Sequence, residues 1–249
     1  MPRLSLATFN THYGVLPVRR PPAEPYDLEG ALRGFDADVI VLQEVWRPDR
    51  RRGRADDAAA ALGYDLHYEI TGFASADARW PRLTGDGIGE SGIAVLTRLP
   101  LRRIGSPVVG PTFGDPAPGR RVLDVEIDVG GVWVRLVAIH LTSRLPHGPP
   151  IQLRRLARLL PEPGTAAIVA GDCNFWGPPV EALLPGWRRG VRGRTWPARA
   201  PHSQIDHVLT RPADVRVLAG QVLPDVGSDH RPVRVELEVP PQWKARASL

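Results

Sequence analysis

"RVLDVEIDVGGVWVRLVAIH", residues 121–140, decides how this chain folds. Leu123, Val125, Ile127 and Val129 alternate with Asp124, Glu126 and Asp128, the period-two pattern of a strand with one buried face. Gly130-Gly131 then supplies the two-residue turn that a primed hairpin geometry requires. The run from Val132 onward is almost wholly apolar until it stops at His140. The stretch therefore predicts two antiparallel strands, the second ending on a polar side chain.

Working outward, strand-like segments rich in β-branched residues occur at 3–9, 38–43, 91–97, 166–171, 203–210, 214–222 and 234–239. Helical patterns fit 26–35, 55–63, 151–160 and 178–184, several with proline at their start, where the missing amide hydrogen costs nothing. Strands joined both by hairpins and by helical crossovers predict an α/β (α+β) fold of two mixed β-sheets packed face to face, with helices on the outer faces. No internal repeat and no composition break marks a linker, so residues 1–249 read as one domain.

Composition sets the outer bounds. Hydrophobic residues make up 43% of the 249 residues, enough for a sizeable core. The formal net charge of +5 makes a polyanionic partner electrostatically plausible. All basic residues but Lys244 are arginine, a lopsidedness that reads as genome composition before it reads as phosphate binding. The basic run Arg47–Arg54 reads as a solvated loop between a strand and a helix. Cys173 is the sole cysteine, which excludes an intrachain disulfide and a cysteine-rich zinc site. "MPRLSLATFN" enters a strand pattern at once and no apolar run reaches membrane-spanning length, so a cytoplasmic protein without membrane insertion is expected.

Polar residues recur where the apolar runs stop. Asn10 ends the first strand, Glu44 the second, His140 the hairpin, and Asp172 and Asn174 follow "AIVA". If "GDCN" stays extended, Asp172 and Asn174 share a face and Cys173 points away as a small buried hydrophobe. Asp206 lies in mid-strand, where an acid is costly unless paired. His230, in the turn "VGSDHRPV" beside Asp229, is the candidate partner. By itself that turn reads as the entry to an edge strand, because Pro232 lacks a ladder donor.

"TFN" (8–10), "LQE" (42–44), "SGIAVLTR" (91–98), "AIHL" (138–141), "AGDCN" (170–174), "IDHVL" (205–209) and "SDHRPV" (228–233) occur in one order across the chain, and together they resemble the endonuclease/exonuclease/phosphatase superfamily, which includes deoxyribonuclease I, exonuclease III, sphingomyelinases and inositol-polyphosphate 5-phosphatases. The resemblance implies a four-layer sandwich with its active site at one rim between the sheets. It implies Glu44 as principal metal ligand, with Asn10 beside it and Asp229 near a second or alternate metal position. Asp172 would orient or deprotonate the attacking water, Asn174 would hydrogen-bond the scissile phosphate, and His230, oriented by Asp206, would stabilise charge on the phosphate. His140 would approach from the other side, toward the leaving group.

The residue types suit that chemistry on their own account. Phosphoester hydrolysis needs charge neutralisation, an in-line water and a stabilised leaving oxygen. Carboxylates with an amide favour Mg²⁺ or Mn²⁺, and the absence of HExxH or clustered cysteines argues against zinc. The expected activity is a metal-dependent phosphodiesterase or nuclease, with a phosphoester substrate, nucleic acid among the candidates, and no obligate protein partner. Phosphomonoester, phospholipid or inositol phosphate hydrolysis on the same fold is the alternative, and a catalytically silent binding module ranks behind both because Glu44, Asp172, Asp206, Asp229 and His230 are all present. His140 stands where abasic endonucleases carry tyrosine, and "TWPARAPHSQID" departs from the 5-phosphatase signature. His12 is in reach of the site if the first strand continues, and Trp46, Trp80, Trp176 and Trp196 read as loop residues packing the rim.

Overall fold

The Gly130-Gly131 turn has φ of +61° and +88°, so the hairpin forms as the sequence requires. The computed structural model describes residues 1–18, 23–49, 51–74, 88–113, 119–143 and 145–240; Trp80 lies outside them. The strands are β1 (Arg3–Asn10), β2 (Val39–Pro48), β3 (Asp65–Ala74), β4 (Gly89–Thr97), β5 (Leu101–Gly105), β6 (Leu123–Val129), β7 (Val132–His140), β8 (Ala167–Asp172), β9 (Arg188–Arg189), β10 (Asp206–Thr210), β11 (Arg216–Val222) and β12 (Val233–Glu238). The helices are α1 (Leu28–Phe35), α2 (Arg54–Ala61), α3 (Gly148–Ala157) and α4 (Gly177–Leu183).

Two six-stranded sheets result, in the orders β11-β12-β1-β2-β4-β3 and β5-β6-β7-β8-β10-β9. The centres of the sheets share one pattern. β1 runs parallel to β2 with antiparallel neighbours β12 and β4, and β7 runs parallel to β8 with antiparallel neighbours β6 and β10. A parallel pair needs a crossover, and α1 lies between β1 and β2 in the chain, as α3 lies between β7 and β8.

One core fills the space between the sheets and includes Leu4, Leu6, Val39, Val41, Leu136, Ala138, Ile168, Ala170, Val208 and Val235. A second packs α1 and α2 on the first sheet through Phe9, Leu32, Phe35, Ile40 and Ala58. A third packs α3 and α4 on the other sheet through Val137, Leu153, Val169, Val180 and Leu209. The layers are therefore helix, sheet, sheet, helix. A one-residue slip of β8 would exchange Ile168 and Ala170 for Val169 and turn Asp172 outward, so burial of the inner face fixes the position of the acid.

Several expectations need correcting. Strands β3, β5 and β9 are additional to those expected: β3 carries a period-two signal, Leu66, Tyr68 and Ile70 alternating with Asp65, His67, Glu69 and Thr71, that sequence reasoning passed over, and the other two are short. β12 lies between β11 and β1 and is not an edge; Pro232 precedes it, and its carbonyl accepts the Leu223 amide at 2.8 Å. Trp46 belongs to β2 and is buried. The Arg47–Arg54 run is solvated as expected at Arg51, Arg52 and Arg54, which are exposed, while Arg47, near the end of β2, pairs with the partly buried Asp56. No helix among the described residues is long and apolar enough to cross a membrane.

Candidate active site

Strand parity gathers the polar residues at one rim. Leu4 and Leu6 of β1 face the intersheet core, and alternation carries that face through Thr8 to Asn10. Val134, Leu136 and Ala138 do the same for His140, Ile168 and Ala170 for Asp172, and Val208 for Asp206. Register completes the cluster: His140 pairs with Asp172 across the parallel β7/β8 ladder, and Asp172 pairs with Asp206 across the antiparallel β8/β10 ladder. Asp206 is the first residue of β10, not a mid-strand residue.

Parity alone would send Glu44 to the helix side with Ile40 and Leu42. A break in the β2/β4 register between Leu42 and Val45, with Glu44 at φ +51°, re-aims it. Its Oε1 comes to 3.9 Å from His140 Nε2. Gly171 serves the same rim. A Cβ there would lie 2.0 Å from the Ile139 carbonyl oxygen, and its φ is +145°. Only glycine lets β8 approach β7 this closely just before Asp172.

Asp172 is the hub. Its Oδ1 accepts the Asn174 amide at 2.7 Å, and its Oδ2 accepts Nδ2 of Asn10 at 3.1 Å and of Asn174 at 3.2 Å. His140 Nε2 lies 3.7 Å from the same Oδ2 and His230 Nε2 lies 3.9 Å from it. Asn174 reaches Asp172 by a route other than an extended chain: its φ is +47°, and its side chain also donates to the Leu141 carbonyl at 3.0 Å. Cys173 points into the outer core as expected and is fully buried.

Behind this hub, His230 Nδ1 donates to Asp206, 2.9 Å from Oδ2 and 3.1 Å from Oδ1. Ser228 joins the two halves of the rim, its hydroxyl donating to the Asn10 carbonyl at 2.7 Å and accepting the His230 amide at 3.2 Å. Thr11 donates to the Glu44 carbonyl at 2.9 Å, and Tyr26 donates to the Thr11 carbonyl at 2.9 Å. His12 is held by its ring, with Nδ1 3.0 Å from the Val15 carbonyl, and its amide donates to Asn10 Oδ1 at 3.1 Å.

The two imidazoles are shifted in opposite directions. Burial opposes a charged His230, but the carboxylates of Asp206 and Asp172 outweigh it and raise its pKa to about 10. Burial, then the positive charges of Arg120 and His230, push His140 well below the ordinary histidine range. Burial and the facing Asp206 raise Asp172 to about 7, against the hydrogen bonds of Asn174 and Asn10 that favour its charged form.

The donor set suits a hard cation. Burial and then Asp229 raise the Glu44 pKa, so two carboxylates compete for one low-dielectric space. Among the described residues, no arginine or lysine makes an ion pair with either. Glu44, Asp229 and the Asn10 amide offer oxygen donors, the class that Mg²⁺ and Mn²⁺ prefer. By proximity alone, Asp172, Asp206 and His230 also form a candidate metal group, with ligand atoms within 4.8 Å of one another.

All eight residues singled out from the sequence thus lie at or beside one rim. Sequence reasoning missed Thr11, Tyr26, Ser228 and Arg120, whose Nη1 donates to the His140 carbonyl at 3.1 Å. Ser228 stood inside a quoted motif; the others act through backbone carbonyls, which leave no pattern in side-chain chemistry. Trp176 is exposed rather than packed, at 59%.

A family model described as the endonuclease/exonuclease/phosphatase family matches residues 7–230. Among solved structures, an endonuclease/exonuclease/phosphatase from Beutenbergia cavernae DSM 12333 is similar at 24% identity and TM-score 0.74, covering 98% of this chain and 74% of that one. The human Nocturnin catalytic domain with bound sulfate is similar at 13% identity and TM-score 0.68, covering 96% and 95%. A mannosyl-6-phosphatase from Bacteroides thetaiotaomicron VPI-5482 is similar at 18% identity and TM-score 0.63, covering 94% and 99%. No curated protein matches the sequence.

Proposed function

Because the chain belongs to the endonuclease/exonuclease/phosphatase family, whose members are hydrolases acting on phosphoesters, we propose that it is a divalent-metal-dependent phosphodiesterase with nuclease activity. The observation that carries this reading is Asp172 Oδ2 within 4 Å of two imidazoles, 3.7 Å from His140 and 3.9 Å from His230, one neutral and one cationic at neutral pH.

Each group has a task that its environment supports. Asp172, with a pKa of about 7, takes the proton of a water as the oxygen attacks phosphorus in line with the leaving group. His230, an imidazolium held by Asp206, donates from Nε2 to a phosphate oxygen as negative charge builds up there. Neutral His140 offers a hydrogen bond on the opposite side, toward the leaving oxygen. Asn174 is held by two bonds to Asp172 and one to Leu141, so its Nδ2 reaches a phosphate oxygen only by exchanging the bond to Asp172 Oδ2 as that oxygen turns to the water.

Glu44, with Asn10 and Asp229, would hold the Mg²⁺ or Mn²⁺, which would supply Lewis-acid neutralisation of the phosphate. Asp172, Asp206 and His230 are the weaker metal group, since His230 Nδ1 is committed to Asp206 and an imidazolium has no lone pair to give.

The test is a screen of purified protein with Mg²⁺ or Mn²⁺ against DNA, RNA, bis-p-nitrophenyl phosphate, p-nitrophenyl phosphate, sphingomyelin and inositol phosphates. Diester cleavage is expected. Efficient turnover of a monoester with every diester left intact would replace this reading with phosphomonoesterase activity.

A further inference from the structure

Thr11 follows Asn10, whose Cα partner across the parallel β1/β2 pair is Gln43, and so it lies beside the point where β2 turns Glu44 toward the rim. It is buried. Its hydroxyl is 2.9 Å from the Glu44 carbonyl oxygen and 3.1 Å from that of Gln43, and its amide donates to the Gln43 carbonyl at 2.9 Å. A hydroxyl has one proton to give, so the two carbonyls share it. The φ torsion of Glu44 runs from the Gln43 carbonyl carbon to its own, so a side chain that grips both carbonyls restrains that torsion directly. At +51° it is a conformation that a residue other than glycine keeps only where its surroundings impose it.

Thr11 is itself held. Its carbonyl accepts the Tyr26 hydroxyl at 2.9 Å and the Gly14 amide at 2.9 Å. Burial, then the charges of Asp229 and Glu44, push the Tyr26 pKa well above its ordinary value, so the hydroxyl keeps its proton and remains a donor. The Tyr26 ring also supports Gly227: a Cβ there would lie 2.6 Å from Tyr26 Cγ, and its φ is +115°. Only glycine lets the chain rest on the ring just before Ser228 and Asp229. One tyrosine thus reaches the Glu44 backbone through Thr11 and the turn that carries Asp229 through Gly227. The two carboxylates oppose each other, since Asp229 raises the Glu44 pKa, and the backbone must therefore impose their closeness.

We propose that Thr11 and Tyr26 are positioning residues for the metal: they clamp Glu44 and Asp229 together against their repulsion, so that both can meet one divalent ion. Neither residue touches the ion. The inference rests on the reading of Glu44 and Asp229 as metal ligands, and Glu44→Gln is measured in parallel so that the reading and the clamp can fail separately.

The experiment follows Mn²⁺ binding to the full chain by calorimetry, with urea unfolding of the metal-free protein alongside. Thr11→Val keeps the shape of the side chain and removes the hydroxyl, and is expected to raise Kd at least about tenfold. Thr11→Ser keeps the hydroxyl and should stay within about twofold of the native protein. Tyr26→Phe should raise Kd about fivefold, less than Thr11→Val because the Gly14 amide still holds the Thr11 carbonyl, and it carries the test if Thr11→Val fails to fold. Thr97→Val is the control. That threonine is equally buried, its hydroxyl bonds the Leu99 carbonyl and amide, and it lies opposite Val39 at the far end of the β2/β4 ladder. It should lose stability in urea yet bind Mn²⁺ as the native protein does. Thr11→Val placed in Glu44→Gln should add no further loss of affinity, because it acts through Glu44. Equal loss in Thr97→Val, no rescue by Thr11→Ser, or native affinity in Thr11→Val and Tyr26→Phe beside a weakened Glu44→Gln would overturn the clamp and leave the metal reading standing. Native affinity in Glu44→Gln would refute the metal reading, and the clamp with it.

Discussion

Asp206 and His230, 24 residues apart in sequence, meet in a buried hydrogen bond of 2.9 Å between Oδ2 and Nδ1. The pair fixes both the charge and the direction of the ring that faces Asp172. In the metal-free protein His230 should remain protonated at pH 8, since its pKa is raised to about 10, and Asp206→Asn should bring it down toward the ordinary histidine range. Imidazole nitrogen shifts in an NMR titration report this directly. A native His230 that titrates near 6.5 would refute the pairing.

The same pair makes a prediction about stability. A histidine whose folded-state pKa is raised stabilises the fold fully below its unfolded pKa, and that contribution fades as pH rises through the folded value, here from about 6.5 to about 10. His230→Ala leaves Asp206 buried without its partner and should cost about 3–5 kcal/mol in urea unfolding at pH 7. Adding Asp206→Asn to that variant should restore part of the loss, because the orphaned charge is gone. Additive losses would mean that the two residues act independently.

Metal binding should centre on Glu44. Glu44→Gln is expected to weaken Mn²⁺ binding at least tenfold by calorimetry while leaving the far-ultraviolet dichroism unchanged, and a chelator should abolish turnover in the native protein. If His230→Gln weakened Mn²⁺ binding more than Glu44→Gln did, the ion would belong to the Asp172, Asp206 and His230 group instead.

Within "AGDCN", neighbouring residues should behave differently. Cys173 is buried in the outer core, where burial and the charges of Asp172 and Asp206 raise its thiol pKa, so Cys173→Ala should leave kcat within about twofold. Gly171→Ala drives a Cβ against the Ile139 carbonyl and should lower stability by at least about 2 kcal/mol. A folded Cys173→Ala protein without activity would contradict the account of the motif.

What the sequence revealed follows from which signals are local. The hairpin at 121–140 and the ends of β1, β7 and β8 were legible because alternation reports both the buried face and where it stops. Asn10 and His140 were legible only as the polar ends of apolar runs, and the structure shows that parity puts them with Asp172 and Asp206 on the inner side of their sheets. Glu44 was singled out as the polar end of the second apolar run and given its metal role by the resemblance, while its re-aiming depends on a break in pairing that parity cannot register. The left-handed backbone of Asn174 and the bridging hydroxyl of Ser228 were hidden for a related reason. Each is set by interactions with segments remote in sequence, such as Ser228 with Asn10. β3 was legible too, since Leu66, Tyr68 and Ile70 alternate with polar residues, and its omission was an oversight of pattern and not a lack of signal.

The central claim is that Asp172 is the base of a metal-dependent phosphodiester hydrolase, and Asp172→Asn tests it most directly. The measurement is kcat for bis-p-nitrophenyl phosphate with saturating Mn²⁺, native against variant, each checked for intact fold and metal affinity. The amide keeps the size of the side chain and removes its ability to take a proton. The account predicts a loss of at least about a hundredfold in kcat with little change in Mn²⁺ affinity. A folded, metal-loaded Asp172→Asn protein that turns over diester at the native rate would contradict it.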